Sequence, residues 1–498
     1  MMDPETSATN SRELTHHTLK GITWLLGSRL WSQLLSLIIG IVLARLLRPE
    51  DYGLLGMAMI VVTFLGLFSD FGLTSAIIHE QNLDAEKLSS IFWFNLGAGL
   101  GIAALMAATS PVFASFFSQA KVVPILCALS LNFIAISLGT VPSALFQKAL
   151  RFDIITKINA TSSLIGGCLG IAAATAGCGV WSLVLQVLGT SLLGLFFLWV
   201  LSSWRPRMRF VWADLDSILK FSSNFLGAQM INYLARHADY LLIGRFLGPA
   251  ALGNYTLAYN LMLFPINNLT GVIQQGMFPA LARIKDKPRS IAHAYIKSCR
   301  YQAFIIIPAM SGLALVAPEA VSTIYGAKWT DAGPVLALLS WVAVFQPFAS
   351  LAGVVLLAQG FTDWLFKWSL IVTPVIIAGF AIGLSWGIVG VAAGYLIVQI
   401  LLAVIAQPLM FRKAGIPTGQ LLASLAVPAV ASAVMAVAVY LARKALLDIS
   451  GISAPIILTV CVATGVLVYG VALLALKDHF WTEFKRDYIQ IFKSTVEI

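Results

Sequence analysis

Apolar stretches of about 20 residues, each long enough to cross a bilayer as a helix, follow one another along almost the whole chain. Of the 498 residues, 59% are hydrophobic and only 11% are charged, and mean hydropathy is +0.88. A soluble protein of this size carries roughly a quarter charged residues. Alternating segments of about ten residues, typical of membrane barrels, are missing from the sequence. The sequence therefore predicts an all-α polytopic membrane protein.

The apolar stretches predict about 14 transmembrane spans. They lie at 21–46, 53–78, 89–109, 122–146, 155–176, 180–201, 218–244, 252–278, 296–317, 333–358, 366–384, 387–410, 420–442 and 453–475. With the N-terminus inside, 23 of the 32 lysines and arginines fall on cytoplasmic segments, 7 on outer segments, and Arg29 and Arg236 within spans. Since positively charged loops stay on the cytoplasmic side, both termini are expected there. Topology explains the net charge of +10 without nucleic-acid binding, and the basic loops are suited to contact membrane lipids.

The connecting loops argue against an enzyme. The longest predicted loop, near 279–295, is too small for a nucleotide-binding domain, and no GxxxxGK[ST] motif occurs. The five cysteines form no CxxC pair and have no matching His or Asp set, so we expect no metal site and no cofactor.

An internal repeat relates two parts of the chain. Residues 44–53 read ARLLRPEDYG and residues 244–253 read GRFLGPAALG, so an Arg-x-Leu-x-Pro-x-x-x-Gly pattern returns at an offset of 200. A weaker echo pairs LFQKALRFD (145–153) with LAQGFTDW (357–364). Six spans separate the copies, so both insert with the same orientation, as parallel lobes around a central cavity. The repeat predicts an N-terminal lobe at 1–217, a C-terminal lobe at 218–410, and two extra helices with a cytoplasmic tail at 411–498.

Polar side chains interrupt the first, second, seventh and eighth spans. The seventh span carries Gln229, Asn232, Arg236 and Asp239 at helical spacing, the first carries Arg29, Gln33 and Ser36, the eighth carries Asn260 and Asn267, and the second carries Asp70. Ionisable residues inside a membrane are functional candidates. The structural alternatives are an ion pair between Arg236 and Asp239, a partner such as Asp70 for Arg29, and ordinary interhelical hydrogen bonding for the amides. For His237 a structural role is favoured.

The segment LARLLRPEDYGLLGMAMIVVTFLGLFSDFGLTSAII (43–78) resembles polysaccharide exporters of the multidrug/oligosaccharidyl-lipid/polysaccharide superfamily, in the Wzx-type and colanic-acid-exporter-like branch. The resemblance implies a flippase of the bacterial inner membrane. Its substrate would be an undecaprenyl-pyrophosphate-linked oligosaccharide repeat unit, carried outward by alternating access. Polysaccharide polymerase and export machinery are candidate partners.

Relatives carry cavity arginines attributed to pyrophosphate binding, and Arg29 and Arg236 fall in the corresponding spans. We expect Gln33, Asn232, Asn260 and Asn267 to meet glycan hydroxyls, and Asp70 or Asp239 to serve coupling or charge pairing by proton or Na⁺. Two alternatives belong to the same superfamily: a cation-coupled multidrug antiporter and a lipid II flippase. An embedded glycosyltransferase or polymerase would need a larger catalytic loop.

Overall fold

The computed structural model describes residues 33–69, 73–79, 84–212, 233, 236–283, 287–449 and 451–476. Every regular element in these ranges is a helix. They are α1 (Gln33–Leu46), α2 (Pro49–Gly66), α3 (Leu73–His79), α4 (Ala85–Phe117), α5 (Val122–Leu129), α6 (Leu131–Lys148), α7 (Phe152–Thr175), α8 (Val180–Leu201), α9 (236–246), α10 (Gly248–Arg283), α11 (Pro288–Leu315), α12 (Ala317–Ile324), α13 (Ala332–Ala358), α14 (Thr362–Gly383), α15 (Gly387–Leu401), α16 (Gln407–Lys413), α17 (Thr418–Leu447) and α18 (Ala454–Ala475).

The all-α prediction is confirmed, and the count of 14 predicted spans is consistent with these helices. Within the described ranges, eight helices are long and apolar enough to cross a membrane, or nine if the bent pair α11–α12 counts as one span. One of the eight, Thr362–Lys413, has 52 residues and contains the predicted spans 366–384 and 387–410. The tight turn between these two spans ends at Gly387, whose φ is 71°.

Helix ends differ from the prediction in several places. The predicted loop near 279–295 is largely helical, because α10 runs to Arg283 and α11 starts at Pro288. Hydropathy detects only the apolar part of a helix, so polar turns that extend past the bilayer are missed. The sequence also missed α12, which bends 80° away from α11.

Contacts between loops agree with the predicted alternation of the spans. Glu86, predicted to be cytoplasmic, forms ion pairs with Arg207 and Arg209 from another predicted cytoplasmic segment. At the opposite end, Arg45 and Arg245 each reach another predicted outer segment. Segments assigned to one side therefore meet at one end of the helical bundle. Which end faces the cytoplasm stays a prediction from the charge bias.

The repeated Pro and Gly residues pack against each other where α2 crosses α10. A Cβ on Gly53 would overlap the Pro249 carbonyl, and a Cβ on Gly253 would overlap the Pro49 carbonyl. Each copy of the repeat thus supplies the glycine that admits the proline of the other copy. Such close backbone approach is typical of small residues in membrane helices.

The weaker echo also occupies equivalent turns. After α6, Leu150 has φ 55° and the Arg151 N–H donates to the Phe146 carbonyl. After α13, Gly360 has φ 83° and the Phe361 N–H donates to the Leu356 carbonyl. Both turns are Schellman-type helix ends, and the second has the glycine that this conformation favours. This equivalence supports the two-lobe division, which stays a prediction.

The appended helices α17 and α18 pack on α11 and α12 of the second half. Arg443 on α17 donates to the Glu319 carboxylate on α12, with Nη2 at 2.8 Å and Nε at 2.9 Å from Oε1. Glu319 is buried, whereas apolar side chains such as Leu467 and Leu474 on α18 are exposed. This distribution suits a helix pair that faces lipid.

Candidate functional site

A cavity of about 370 Å³ lies between α1 of the first half and α10 of the second. Three polar residues and three aromatic residues give it its chemical character: Gln33, Ser36, Asn260, Tyr52, Phe264 and Tyr325. The rest of its lining is aliphatic or glycine. The structure therefore brings together Gln33 and Asn260, two of the predicted substrate-binding residues, from helices that are far apart in sequence.

Helical periodicity explains which side chains face the cavity. On α1 the lining residues include Gln33, Leu37, Gly40 and Ala44, which follow one another at steps of three or four and so share a face. The Gln33 Oε1 atom is buried and accepts no hydrogen bond from any residue within the described ranges. A ligand donor that entered the cavity could satisfy this oxygen, which otherwise bears the cost of a buried unpaired acceptor.

The chemistry of the cavity suits a neutral hydroxylated ligand. Amide and hydroxyl groups can both donate to and accept from sugar hydroxyls, and aromatic rings offer apolar faces to the C–H side of a sugar ring. The lining includes no Asp, Glu, Lys or Arg among the side chains that the structure describes. The cavity alone therefore does not neutralise a charged head group.

Asp239 lies on α9 in a buried cluster of tyrosines. It is 2% exposed. Its Oδ2 accepts a hydrogen bond from the Tyr255 hydroxyl at 3.0 Å, and its Oδ1 accepts one from the Tyr240 backbone N–H at 2.9 Å. The ring of Tyr259 lies 5.8 Å from that of Tyr240 and 6.0 Å from that of Tyr255. Tyr395 of α15 interacts electrostatically with Asp239. We call five residues together the tyrosine cluster: Asp239, Tyr240, Tyr255, Tyr259 and Tyr395.

The cavity and the tyrosine cluster lie on opposite faces of α10. Tyr255 and Tyr259, one helical turn apart, face α9, whereas Leu257, Asn260 and Phe264 face α1 and the cavity. A rotation or tilt of this one helix would therefore act on both places at once. The sequence predicted Asp239 as a candidate coupling or charge-pairing residue. It did not predict that Asp239 lies in a cluster separate from the cavity.

Arg236 and Asp239, which the sequence predicts on one face of the seventh span, differ in burial. The Arg236 side chain is exposed, while the Asp239 carboxylate is buried against Tyr255. A three-residue step leaves about 60° between the two side chains, so they border the same side of α9 although Asp239 is buried and Arg236 is not. In the described part of the chain, the Asp239 carboxylate accepts hydrogen bonds from the Tyr255 hydroxyl and the Tyr240 backbone N–H rather than from the Arg236 guanidinium.

His237 packs between two aromatic rings. Its ring centroid lies 4.3 Å from that of Tyr233 and 5.7 Å from that of Tyr240. The Tyr233 hydroxyl in turn donates to the Ile60 carbonyl of α2 at 2.6 Å. His237 thus takes part in packing the seventh span near the first half, as the structural reading of this residue expected.

Four predicted residues have no described side chain. Arg29, Asp70 and Asn232 lie outside the described residues, and Asn267 lies on α10 where side chains are not described. Their roles stay predictions. Sequence analysis missed Tyr52, Tyr325 and the tyrosine cluster, because aromatic residues in apolar spans are usually packing residues. The four-residue step from Tyr255 to Tyr259, 16 residues after Asp239, was the available signal.

Comparisons with known proteins relate the chain to polysaccharide biosynthesis. A family model described as "Polysaccharide biosynthesis protein" matches residues 42–334. The lipopolysaccharide biosynthesis protein WzxC of Escherichia coli (strain K12) is 28% identical over 410 residues, which cover 80% of this chain and 82% of WzxC. The succinoglycan biosynthesis transport protein ExoT of Rhizobium meliloti (strain 1021) is 27% identical over 300 residues, or 60% of each chain.

The fold is also similar to that of a solved structure. The lipid II flippase MurJ, in an inward closed conformation, superposes with a TM-score of 0.73 at 16% sequence identity. The match covers 93% of this chain and 99% of MurJ, and at this identity it shows a common fold.

Proposed function

The chain belongs to the polysaccharide biosynthesis protein family, and from this premise we propose that it is a flippase for lipid-linked oligosaccharides. It carries undecaprenyl-pyrophosphate-linked repeat units from the cytoplasmic face of the inner membrane to the outer face. The units then serve the synthesis of exopolysaccharide, capsule or lipopolysaccharide. The names of WzxC and ExoT, which refer to lipopolysaccharide biosynthesis and succinoglycan transport, agree with this substrate class.

The observation that carries the proposal is the neutral cavity between α1 and α10. Gln33, Ser36 and Asn260 offer hydrogen-bonding groups and Tyr52 and Tyr325 offer aromatic faces, a combination that suits sugars. The cavity lies between the two predicted lobes, where alternating access would expose a ligand first to one side and then to the other. Asn267, further along α10, and Asn232, on the seventh span, would extend the same surface.

Two arginines are the candidates to hold the pyrophosphate. A guanidinium can form paired hydrogen bonds with phosphate oxygens and so replace part of their lost hydration. Arg236 has an exposed side chain on the seventh span, and Arg29 occupies the equivalent first span of the other lobe. Because no described side chain in the cavity lining carries a formal charge, the head group needs charged residues from outside that lining.

Asp239 is the candidate for energy coupling. A buried carboxylate is unfavourable as an anion unless hydrogen bonds compensate it, and the tyrosine cluster supplies such bonds. Protonation or release of a proton would change these hydrogen bonds and hence the packing of α9 on α10. Asp70, in the second span, is the alternative coupling residue, and Na⁺ is the alternative ion.

Location and partners follow from the same proposal. The charge bias places both termini in the cytoplasm, so the basic loops face the side where the lipid-linked saccharide is made. Polysaccharide polymerase and export machinery are candidate partners on the outer side. As a transporter, the chain performs no covalent chemistry itself.

Two functions of the same superfamily are the alternatives. A cationic drug favours acidic and aromatic surroundings, and no acidic side chain occurs in the described lining of the cavity. A lipid II flippase would bind a chemically similar substrate, and the MurJ fold accommodates one. Loss of a wall-precursor flippase stops growth, whereas loss of an exporter of a dispensable polymer does not.

Deletion of the gene tests the proposal. Lipid-linked oligosaccharides are extracted and identified by mass spectrometry, and surface polysaccharide is quantified in the same cultures. A flippase for the repeat unit predicts accumulation of a complete lipid-linked unit and loss of the polymer. Unchanged pools and normal polymer, in a strain without a redundant exporter, would reject the proposal and direct attention to drug efflux.

A further inference from the structure

The two arginines of the sequence repeat each bind the end of a helix from the opposite half. Arg45, at the end of α1, donates through Nε to the Ile324 carbonyl at 2.9 Å and through Nη2 to the Thr323 carbonyl. Arg245, at the end of α9, donates to the Phe116 carbonyl at 2.6 Å and to the Ser118 hydroxyl at 2.8 Å. The repeat thus recurs in structure as well as in sequence.

The acceptors are chemically equivalent too. Ile324 ends α12 and Phe116 lies in the last turn of α4, so both arginines bind carbonyls that have no partner within their own helix. A cation at this position also interacts favourably with the negative end of the helix dipole. Each arginine therefore joins the two halves of the chain through hydrogen bonds to free carbonyl groups at the end of a helix in the opposite half.

A second set of contacts closes the region around Arg45. Lys328 donates to the carbonyls of Arg45 and Leu46 at 3.0 Å and 3.3 Å, and the Trp329 indole N–H donates to the Ala44 carbonyl at 2.9 Å. The last carbonyls of α1 are thereby capped from the second half, just as Arg45 caps α12. Each half of the chain therefore caps a helix end of the other half in this region.

This region borders the cavity at its predicted outer end. Ala44, Tyr52 and Tyr325 line the cavity. Ala44 also accepts the Trp329 hydrogen bond, Tyr52 packs edge-on against Trp329 with centroids 5.2 Å apart, and Tyr325 directly follows the Ile324 carbonyl that binds Arg45. A ligand in the cavity would therefore touch the residues that hold this end shut.

We propose that Arg45 and Arg245 are two latches that keep the cavity closed at its predicted outer end and must release their helix ends before the cavity opens there. The inference rests on the proposed function only for the identity of the substrate that leaves. Both arginine side chains are exposed, so water can replace the protein partners on release, which makes the contacts reversible. Because Arg45 adjoins the cavity lining, its latch is the one that responds to an occupant.

Cysteine accessibility tests the latches without a transport substrate. The five native cysteines are replaced by serine, and Ser36→Cys or Asn260→Cys is added as a reporter inside the cavity. Right-side-out and inside-out membrane vesicles are treated with a charged, membrane-impermeant methanethiosulfonate, and the rate of labelling is measured. Arg48→Ala is the matched control, because Arg48 is an exposed arginine at the same end and its hydrogen bond to the Asp51 carboxylate is donated by the backbone N–H, which the substitution keeps.

If the latches keep the cavity closed, the reporter cysteine of the parent protein should be labelled slowly from the outside. Arg45→Ala and Arg245→Ala should each increase that rate by about tenfold, since each loses charge-assisted hydrogen bonds that favour the closed state. Arg48→Ala should leave it unchanged. Arg45→Lys keeps the charge but loses the two-carbonyl geometry, and it replaces Arg45→Ala if that variant fails to accumulate.

Two results would be decisive. Equal outside labelling of the parent, both alanine variants and the double variant Arg45→Ala/Arg245→Ala would overturn the latch proposal and leave a permanent structural clamp. Faster outside labelling in the alanine variants would support the latch proposal. If deletion of the gene nevertheless left the lipid-linked oligosaccharide pools unchanged, the latches would stand and the proposed substrate would be rejected.

Discussion

At the scale of single residues, Asp239 shows how a membrane helix accommodates a charge. Its position in an apolar span marked it as a candidate in the sequence, but its partners could not be predicted. Tyr255 lies 16 residues further along the chain and Tyr395 belongs to α15. Only tertiary packing brings the Tyr255 hydroxyl to this carboxylate and Tyr395 into the same cluster, and periodicity within one helix carries no information about such contacts.

Substitution of Asp239 separates its charge from its packing. Asp239→Asn keeps an oxygen that accepts from the Tyr240 N–H, and its amide N–H can donate to the Tyr255 hydroxyl, so the purified protein should unfold at nearly the parental temperature. Export should nevertheless fall by at least about tenfold if a titrating carboxylate is needed for coupling. Asp239→Ala should also lower stability, by about 1–3 kcal/mol, because the Tyr255 hydroxyl loses its partner. Thermal unfolding and surface-polymer assays measure the two effects, and parental export by Asp239→Asn would rule out coupling through this group.

Arg236 offers a test of head-group binding. Arg236→Ala should abolish export and cause the lipid-linked unit to accumulate, and Arg29→Ala should do the same. Arg236→Lys should retain part of the activity, since an ammonium keeps the charge but not the two-pronged geometry. Arg412→Ala, an exposed arginine on α16 at the predicted cytoplasmic end, is the control. Mass spectrometry of lipid-linked pools, at matched protein levels, gives the readout; normal pools in both alanine variants would contradict the assignment.

At the scale of helices, hydropathy predicted most of the fold because lipid requires each spanning segment to satisfy its own backbone. Hydropathy did not predict the helical segments that lie outside the apolar part of the bilayer. The polar turns of α10 and α11 beyond the bilayer, and the eight-residue α12, carry no long apolar signal. The cavity face of α1 and α10 was partly predictable, since Gln33 and Asn260 are amides in apolar spans. Tyr52 and Tyr325 were not, because each faces the cavity only through the contact between the halves.

The crossing of α2 and α10 makes a prediction about two glycines. Gly53→Ala and Gly253→Ala should each destabilise the protein by about 1–3 kcal/mol, because the new methyl group overlaps a proline carbonyl of the facing helix. Gly66→Ala, in the same helix as Gly53 but with open space around it, should be neutral or stabilising. Thermal unfolding in detergent measures all three. Equal melting temperatures for Gly53→Ala and Gly66→Ala would mean that the helices do not approach so closely.

The ion pair between α12 and α17 predicts how the appended helices are attached. Arg443→Met should destabilise the protein by about 2–3 kcal/mol, since it leaves the buried Glu319 carboxylate without its partner. The double variant Glu319→Gln/Arg443→Met should recover most of the loss, because the buried charge is removed as well. A double-mutant cycle from thermal unfolding measures the coupling. A double variant no more stable than Arg443→Met alone would show that the pair is not coupled.

At the scale of the whole molecule, the two copies of the repeat meet at one end of the cavity and build its closure. Each copy supplies a proline, a glycine and an arginine to the other half, so the seal is made of equivalent parts. The cavity below it is asymmetric, since α1 and α10 line it. A symmetric seal over an asymmetric cavity suits a transporter that rocks its halves and binds one ligand between them.

Transport in proteoliposomes tests the flippase proposal most directly. Lipid-linked oligosaccharide from the deletion strain is incorporated with the purified protein, and the fraction oxidised by added periodate, which does not cross the membrane, is followed over time. A flippase predicts that material from the inner leaflet becomes accessible only when the protein is present, and that Arg236→Ala prevents this. An accessible fraction that stays at its initial value with active, correctly folded protein and an imposed proton or Na⁺ gradient would contradict the proposal.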